Sequence, residues 1–316
     1  MTQTPQPFTV VVVVYHRSEP LRRLLGGIVA DPVEPQPRLV VVNLEDDLDV
    51  RSVAEEFGAT VVVAPDRGYA AAVNRGALEV TDGITVFACD DLEVDATSLR
   101  QLVDTVASGA ADVAVPRIVD LAGHEEASIR ALPTPGRILL EWALTSDRPR
   151  PGSHRIEKWR RPQVTERVDA FDAALVAVHT EVLQRHPLPE DYFLYWEEID
   201  WCWQLRDAGQ RAVLVPDAVV QHAGGRDDVR ADKQRLLARN AVRCVFRTQG
   251  RAAAMLAWPI VILWQVRLLV VDGLRTRRGG RNRIPARAAG VGAAIWAWRE
   301  FAGPVGPGPR GHEDER

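Results

Sequence analysis

The apolar positions of this chain fall into short unbroken runs separated by stretches with helical spacing. Residues 8–15 read FTVVVVVY, residues 38–43 RLVVVN, residues 60–64 TVVVA and residues 84–88 ITVFA. Such runs, rich in β-branched residues, predict strands buried on both faces of a parallel sheet. Between them, residues 21–28, 50–57 and 70–80 carry the spacing of amphipathic helices. The alternation, with short connections, predicts a doubly wound α/β sheet whose ligands sit beyond the carboxyl ends of its strands. Further on, residues 168–178 read as a returning strand, Thr180 as a helix start, 198–208 as a helix and 211–215 as the closing strand, with the chain leaving the core after Pro216. Residues 132–163, rich in Pro and Arg, show little sustained period; they predict a long lid or binding loop with one helical piece at 138–144. Residues 228–248 predict a helix, with Arg235, Arg239, Arg243, Arg247 and then Arg251 forming a slowly rotating basic stripe.

Charge adds an asymmetry. The 316 residues, long enough for a full core and an appendage, have a net charge of -4, yet from residue 221 onward 18 Arg and Lys stand against 8 Asp and Glu. An acidic body repels polyanions and argues against nucleic acid, whereas the basic end suits an anionic membrane surface or a pyrophosphate-bearing lipid, or is simply solvated. Cys89, Cys202 and Cys244 form no CxxC pair, which argues against a disulfide framework or zinc cluster and fits a reducing cytosol. The opening MTQTPQPF lacks signal-peptide features, and the apolar run at 255–271 contains Pro259 and is interrupted by Gln265 and Arg267. The expectation is a cytoplasmic protein. Its helices near 235–251 and 258–271 either touch the inner face of the cell membrane or pack on the rest of the protein or on a partner subunit.

Three groups of residues could carry chemistry. Asp90 and Asp91 directly follow a buried strand, where carboxylates can hold magnesium or manganese, although Asp also favours such turns for local hydrogen bonds. Residues 196–203 read WEEIDWCW. One of these carboxylates, partly desolvated, could take a proton from an attacking hydroxyl; acids are also favoured in a helix's first turn, and the tryptophans are either ring platforms or core. His222 could complete a metal site with Asp91 or bond a diphosphate. Arg67, Gly68 and Tyr69, with Asn74 and Gly76, lie between a strand and a helix, where glycine permits close approach to a phosphate or ribose.

In this order the pieces resemble the family 2 glycosyltransferases of GT-A fold, most of all actinobacterial members similar to rhamnosyltransferases, over roughly residues 8–225. The resemblance rests on Tyr15-His16 after the first strand, on DRGYAAAVNRG (66–76), on FACDDLEV (87–94) and on YWEEIDWCWQLRDAGQRAVLVPDAVVQHAGG (195–225). It implies a GT-A domain over 1–225, with a mixed, mainly parallel sheet, a basic helical extension over 226–303 and a disordered tail over 304–316. By that match Asp91 and His222 hold a divalent cation, and Glu198, with Asp200 beside it, supplies the catalytic base. Tyr15, Asn43, Asp66, Arg67, Gly68, Asn74 and Asp90 would bind the donor, and Asp172, Trp196 and Glu197 the acceptor. The implied reaction is a single in-line displacement with inversion, from a nucleotide diphosphate sugar to a glycan or polyprenyl-linked hydroxyl in cell-envelope or polysaccharide assembly, in a chain that could be a homo-oligomer. Rhamnose on thymidine diphosphate is the donor suggested by the same likeness.

The chain also departs from the pattern. Cys89 stands at the first position of the DxD-like element, Glu198 where Asp is commoner, Asn43 where an aspartate usually ends the second strand, Asp172 where glycine is common and Gln204 where arginine is common. No QxxRW follows the acidic segment, which argues for addition of one sugar at a time. A sugar nucleotidyltransferase would need a glycine-rich loop at residues 15–20, and a dinucleotide-dependent oxidoreductase GxGxxG at the same turn; neither is present. A catalytically silent binding or scaffold protein on the same fold is the alternative from another class.

Overall fold

The computed structural model describes residues 6–30, 35–81, 83–126, 128–143, 164–223, 229–277 and 280–302. The first half alternates as the pattern predicts: β1 (Phe8–Val14), α1 (Ser18–Val29), β2 (Arg38–Leu44), α2 (Leu48–Glu56), β3 (Thr60–Ala64), α3 (Tyr69–Ala77) and β4 (Ile84–Cys89). β1 lies between β2 and β4, and β2 pairs with β3, all in parallel. Every residue of β1 is buried, which is why the run contains no polar alternation. α1 turns Leu21, Leu24, Leu25 and Ile28 onto the sheet, the three-and-four spacing of one helical face.

The second half continues with β5 (Leu92–Glu93), α4 (Ala96–Ala107), β6 (Val113–Val119), β7 (Ile129–Arg130), α5 (Pro135–Ala143), β8 (Glu166–Arg167), β9 (Ala170–Phe171), β10 (Leu175–His179), α6 (Thr180–Arg185), α7 (Glu197–Asp207) and β11 (Ala212–His222). The sheet order is β3-β2-β1-β4-β10-β6-β11-β5, with β8 also on β11, while β7 and β9 form a separate pair. β10 runs antiparallel between β4 and β6, β11 is parallel to β6, and β5 and β8 are antiparallel to β11. The sheet is thus mixed, with its longest registers parallel.

Two expectations are corrected. The strand expected at 168–178 is two short strands, β9 and β10, in different sheets, and the chain does not leave the core at Pro216. β11 runs on to His222, slipping register between Val215 and Val219, so Pro216 falls where its missing N–H costs the ladder little. α4 and β6 are additions to the expected elements. α4 begins on Asp95, whose carboxylate accepts from the Ser98 amide, and buries Leu99, Leu102, Val103 and Val106.

The chain divides into two compact units, residues 1–132 with 144–228, and residues 133–143 with 229–316. The second unit holds α5, the helical piece expected near 138, with α8 (Ala231–Arg277), α9 (Ile284–Trp296) and α10 (Arg299–Ala302). Gly250, at φ +83 and ψ 179, leaves the helical conformation and kinks α8, a geometry suited to glycine. The apolar run is longer than expected, because α8 continues through Gln265 and Arg267 and is by length and composition able to cross a membrane. Gln265 does not interrupt it, since its side chain is buried beside Gly290 of α9, where a Cβ would lie 2.6 Å from the amide oxygen. The expected tail at 304–316, the loop portion at 144–163 and the glycines at 224–225 lie outside the described residues.

Candidate active site

The continuation of β11 assembles the first half of the site. Its last residues pair with β5, His222 opposite Leu92 and Gln221 opposite Glu93, and the Ala223 amide donates to the Asp91 carbonyl at 2.9 Å. His222 is thereby carried to Asp91, with Nε2 3.4 Å from Asp91 Oδ1 and Nδ1 3.4 Å from Glu126 Oε2. Burial opposes a charge on His222, but the two carboxylates outweigh it and raise its pKa to about 9. Burial likewise pushes Asp91 up, and His222 with Arg17 more than offsets this, leaving Asp91 below its ordinary value.

Arg17, in the turn after β1, lies 3.0 Å from Asp90 Oδ1 and 3.1 Å from Asp91 Oδ2. Asp90 is buried, and burial raises its pKa to about 7 despite that guanidinium. Its Oδ2 has no hydrogen-bond partner. Cys89, between burial and the aspartates, is pushed well up and stays a neutral thiol beside Tyr69.

Does this donor set fit a divalent cation? Among the described residues no three His, Cys, Asp or Glu side chains converge as a metal cluster. Asp91 and His222 face each other at 3.4 Å, with Arg17 also on Asp91, and no third ligating side chain among the described residues joins them. A magnesium- or manganese-type ion there would take most of its ligands from water and phosphate oxygens and would displace the proton that the two carboxylates hold on His222. Glu126 would orient the imidazole from behind, as carboxylates commonly do for ligating histidines.

The second half is the start of α7. Tyr195 and Trp196 both have positive φ, +69 and +79, directly before Glu197. His16, Glu45 and Asp46, which follow β1 and β2, are the remaining non-glycine residues of positive φ among those described. All five flank the segments that carry candidate side chains, as stored backbone strain often does. Gly68, at φ +99, packs so tightly on Phe193 that a Cβ would sit 2.1 Å from its carbonyl oxygen, and the Tyr69 amide donates to that oxygen.

Glu198 is half-buried, and its pKa is raised to about 7 by burial first and then by Asp172, with Arg130 pulling the other way. Arg130 grips Asp172 through two bonds of 2.7 Å. Glu197 is buried, its Oε2 without a partner, and burial together with the Glu198 charge pushes it well above the usual carboxylate range. Glu197 and Asp91 both act on Tyr69 and Cys89, so the two halves meet around that pair.

Other expected residues are engaged in holding the frame. Asp200 is buried and accepts from Tyr192 Oη at 2.8 Å and Gln204 Nε2 at 3.1 Å. The Asn43 amide clasps the backbone of Asp47, which caps α2 and bonds His16. Asn74 ties α3 to Leu188 and Glu190. Asp66 accepts from the Gly68 amide, while Arg67 and Tyr15 are exposed and Trp196 is buried. Trp201 is a core residue, edge-on to Phe87 and Phe171.

Sequence reasoning missed Arg17, Glu126, Arg130 and Tyr192. Only Arg17 left a signal, a basic residue in the polar turn after the first strand; the others depend on long-range pairing.

Residues 5–245 match the family model described as glycosyltransferase like family 2. Uncharacterized glycosyltransferases of Mycobacterium bovis and Mycobacterium tuberculosis are 32% identical over 136 residues, 43% of this chain and 58% of theirs. The match thus spans less than two thirds of those relatives. Among solved structures, the mannosyltransferase of Pyrobaculum calidifontis in complex with GDP-Man and Mn2+ superposes with a TM-score of 0.56 at 15% identity, covering 94% of this chain and 88% of that one. GalNAc-T7 with UDP, GalNAc and Mn2+ gives 0.57 at 15% identity, covering 77% and 48%. At such identity these are likenesses of fold, and the fold is the expected GT-A architecture.

Proposed function

Because this chain belongs to the family 2 glycosyltransferases, we propose that it moves one sugar, with inversion, from a nucleotide diphosphate to an acceptor hydroxyl, using Glu198 as base and a divalent cation at Asp91 and His222. The observation that carries this reading is that Asp91 and Glu197 both bear on Tyr69 and Cys89, which brings Glu198, next to Glu197, to the same side as Asp91. Asp91 is a low-pKa aspartate facing a histidine, and Glu198 a carboxyl poised near pH 7. Two such groups with separated pKa values are what leaving-group stabilisation and proton abstraction require.

The cation would neutralise the charge that develops on the departing diphosphate. Arg17 is placed to share that task and to repel a second cation. Glu198 takes the proton of the acceptor hydroxyl as its oxygen attacks the anomeric carbon from the face opposite the leaving group. Arg130 and Asp172 hold the base near neutrality, and Glu197, kept protonated, can donate a hydrogen bond to the acceptor. Asp200, Asn43 and Asn74 fix the loops that bear these groups. A rhamnosyl donor and an envelope acceptor remain readings from family likeness; the neighbours' GDP-Man and UDP support a nucleotide sugar of some kind.

A second reading, a binding protein without turnover, is favoured by Arg17, whose guanidinium already neutralises Asp90 and Asp91. Calorimetric titration of UDP, GDP and dTDP with manganese, magnesium or chelator tests the proposal. Binding of one nucleotide that needs metal and is lost in Asp91→Ala is expected. Metal-independent binding unchanged by that substitution would contradict it.

A further inference from the structure

The second unit carries a surface that sugar transfer does not use. In α8 beyond the kink, Ala254, Ala257, Val261, Gln265 and Asp272 face inward, at the spacing of one helical face. That inner side holds a polar arrangement. Arg287 of α9 bonds Asp272 at 2.7 Å and Gln234 at 2.7 Å, and the Trp258 indole donates to the Ala294 carbonyl. The opposite side is apolar and open. Leu256 is 64% exposed, and Leu263, Val266, Val270 and Leu274 continue its row at steps of three, four and seven. A long row of exposed apolar side chains on one face calls for an apolar partner.

What borders the row identifies the partner. Arg247 and Arg251 stand at one end and Arg275 and Arg277 at the other, all four exposed, with Arg281 beyond. At the far end of α9, Trp296 is 56% exposed and Trp298 is exposed beside it, with the Arg299 guanidinium 4.2 Å from one indole ring and 5.9 Å from the other. An apolar strip between arginines, with tryptophans at its margin, matches a lipid interface, where chains, headgroups and the zone between them are met in turn.

We propose that this face of α8, with the Trp296–Trp298 end of α9, docks in the plane of an anionic phospholipid bilayer. In-plane seating is favoured by Arg267, which lies within the apolar run and would enter hydrocarbon if α8 crossed the bilayer, a costly step.

The test is flotation of the full chain with vesicles of phosphatidylcholine alone or with one third phosphatidylglycerol. Binding to the anionic vesicles at least about tenfold tighter than to the neutral ones is expected. Leu263→Asp with Val270→Asp should abolish it, and Arg275→Gln with Arg277→Gln should weaken it by roughly tenfold or more. All substituted positions are exposed, and circular dichroism confirms that each variant folds. Equal binding by every variant, or none by the wild type, would overturn the proposal. So would a dimer by light scattering that Leu263→Asp with Val270→Asp makes monomeric, since the face would then belong to a second copy. Retention in cell membranes after alkaline carbonate washing would indicate spanning and equally overturn in-plane docking.

Discussion

Asp172 and Arg130 act on Glu198 in opposite directions, so its titration can be moved both ways. A base works only when ionised, and with a pKa raised to about 7 the turnover rate should climb through that pH. Asp172→Asn removes the repulsion and should shift the rising limb to lower pH; Arg130→Gln should shift it higher. Rate profiles at saturating donor check both, and a limb that stays in place in the two variants would remove Glu198 as the titrating group. Stability has the complementary sign. The folded protein binds this proton more tightly than the unfolded chain, so between the ordinary glutamate value and about 7 stability falls as pH rises. Glu198→Gln should therefore raise the melting temperature at pH 8 while lowering turnover about 10²-fold or more. At this scale the sequence was partly legible. Asp91 and Glu198 sit at a strand end and a helix start, positions that local pattern reveals. Arg130 and Glu126 could not be found, because each matters only through a residue far along the chain.

The start of α7 is held by packing rather than by a capping side chain. Its preceding residue, Trp196, is left-handed and makes no cap hydrogen bond. The contact of Gly68 with Phe193 and the bond from Tyr192 to buried Asp200 help to keep 193–196 in place. Gly68→Ala forces a carbon into the Phe193 carbonyl and should cost on the order of 2–4 kcal/mol by denaturant unfolding, with loss of turnover. Tyr192→Phe removes a hydrogen bond from a buried carboxylate and should cost about 1–3 kcal/mol. Elements with long apolar runs, β1 to β4, were readable because burial on both faces leaves no other pattern. The segment 166–179 was not, since Asp169 and Asp172 break it into strands that join different sheets. Pro216 misled for a related reason: proline signals a strand end from sequence alone, whereas a register slip accommodates it.

For the molecule as a whole, ligand binding to the folded state should appear as stability. With the correct nucleotide diphosphate and manganese at about 100 times the dissociation constant, stabilisation near 2.7 kcal/mol is expected, vanishing with chelator; thermal shift across UDP, GDP and dTDP measures it. The two-unit division was only half visible in the sequence. The basic charge of the final hundred residues marked the second unit, but α5 joins it from the middle of the chain, through contacts of Ile138 with Val245 and Ala257 that no local pattern discloses.

If Asp91 and Glu198 divide the work of sugar transfer, the rate of donor hydrolysis across a panel of nucleotide sugars reads both roles at once. Wild type, Asp91→Ala and Glu198→Gln are compared with manganese, with magnesium and with chelator. Metal-dependent release of one nucleotide diphosphate is expected, abolished by Asp91→Ala and reduced about 10²-fold by Glu198→Gln. Hydrolysis that survives chelation and both substitutions would contradict it.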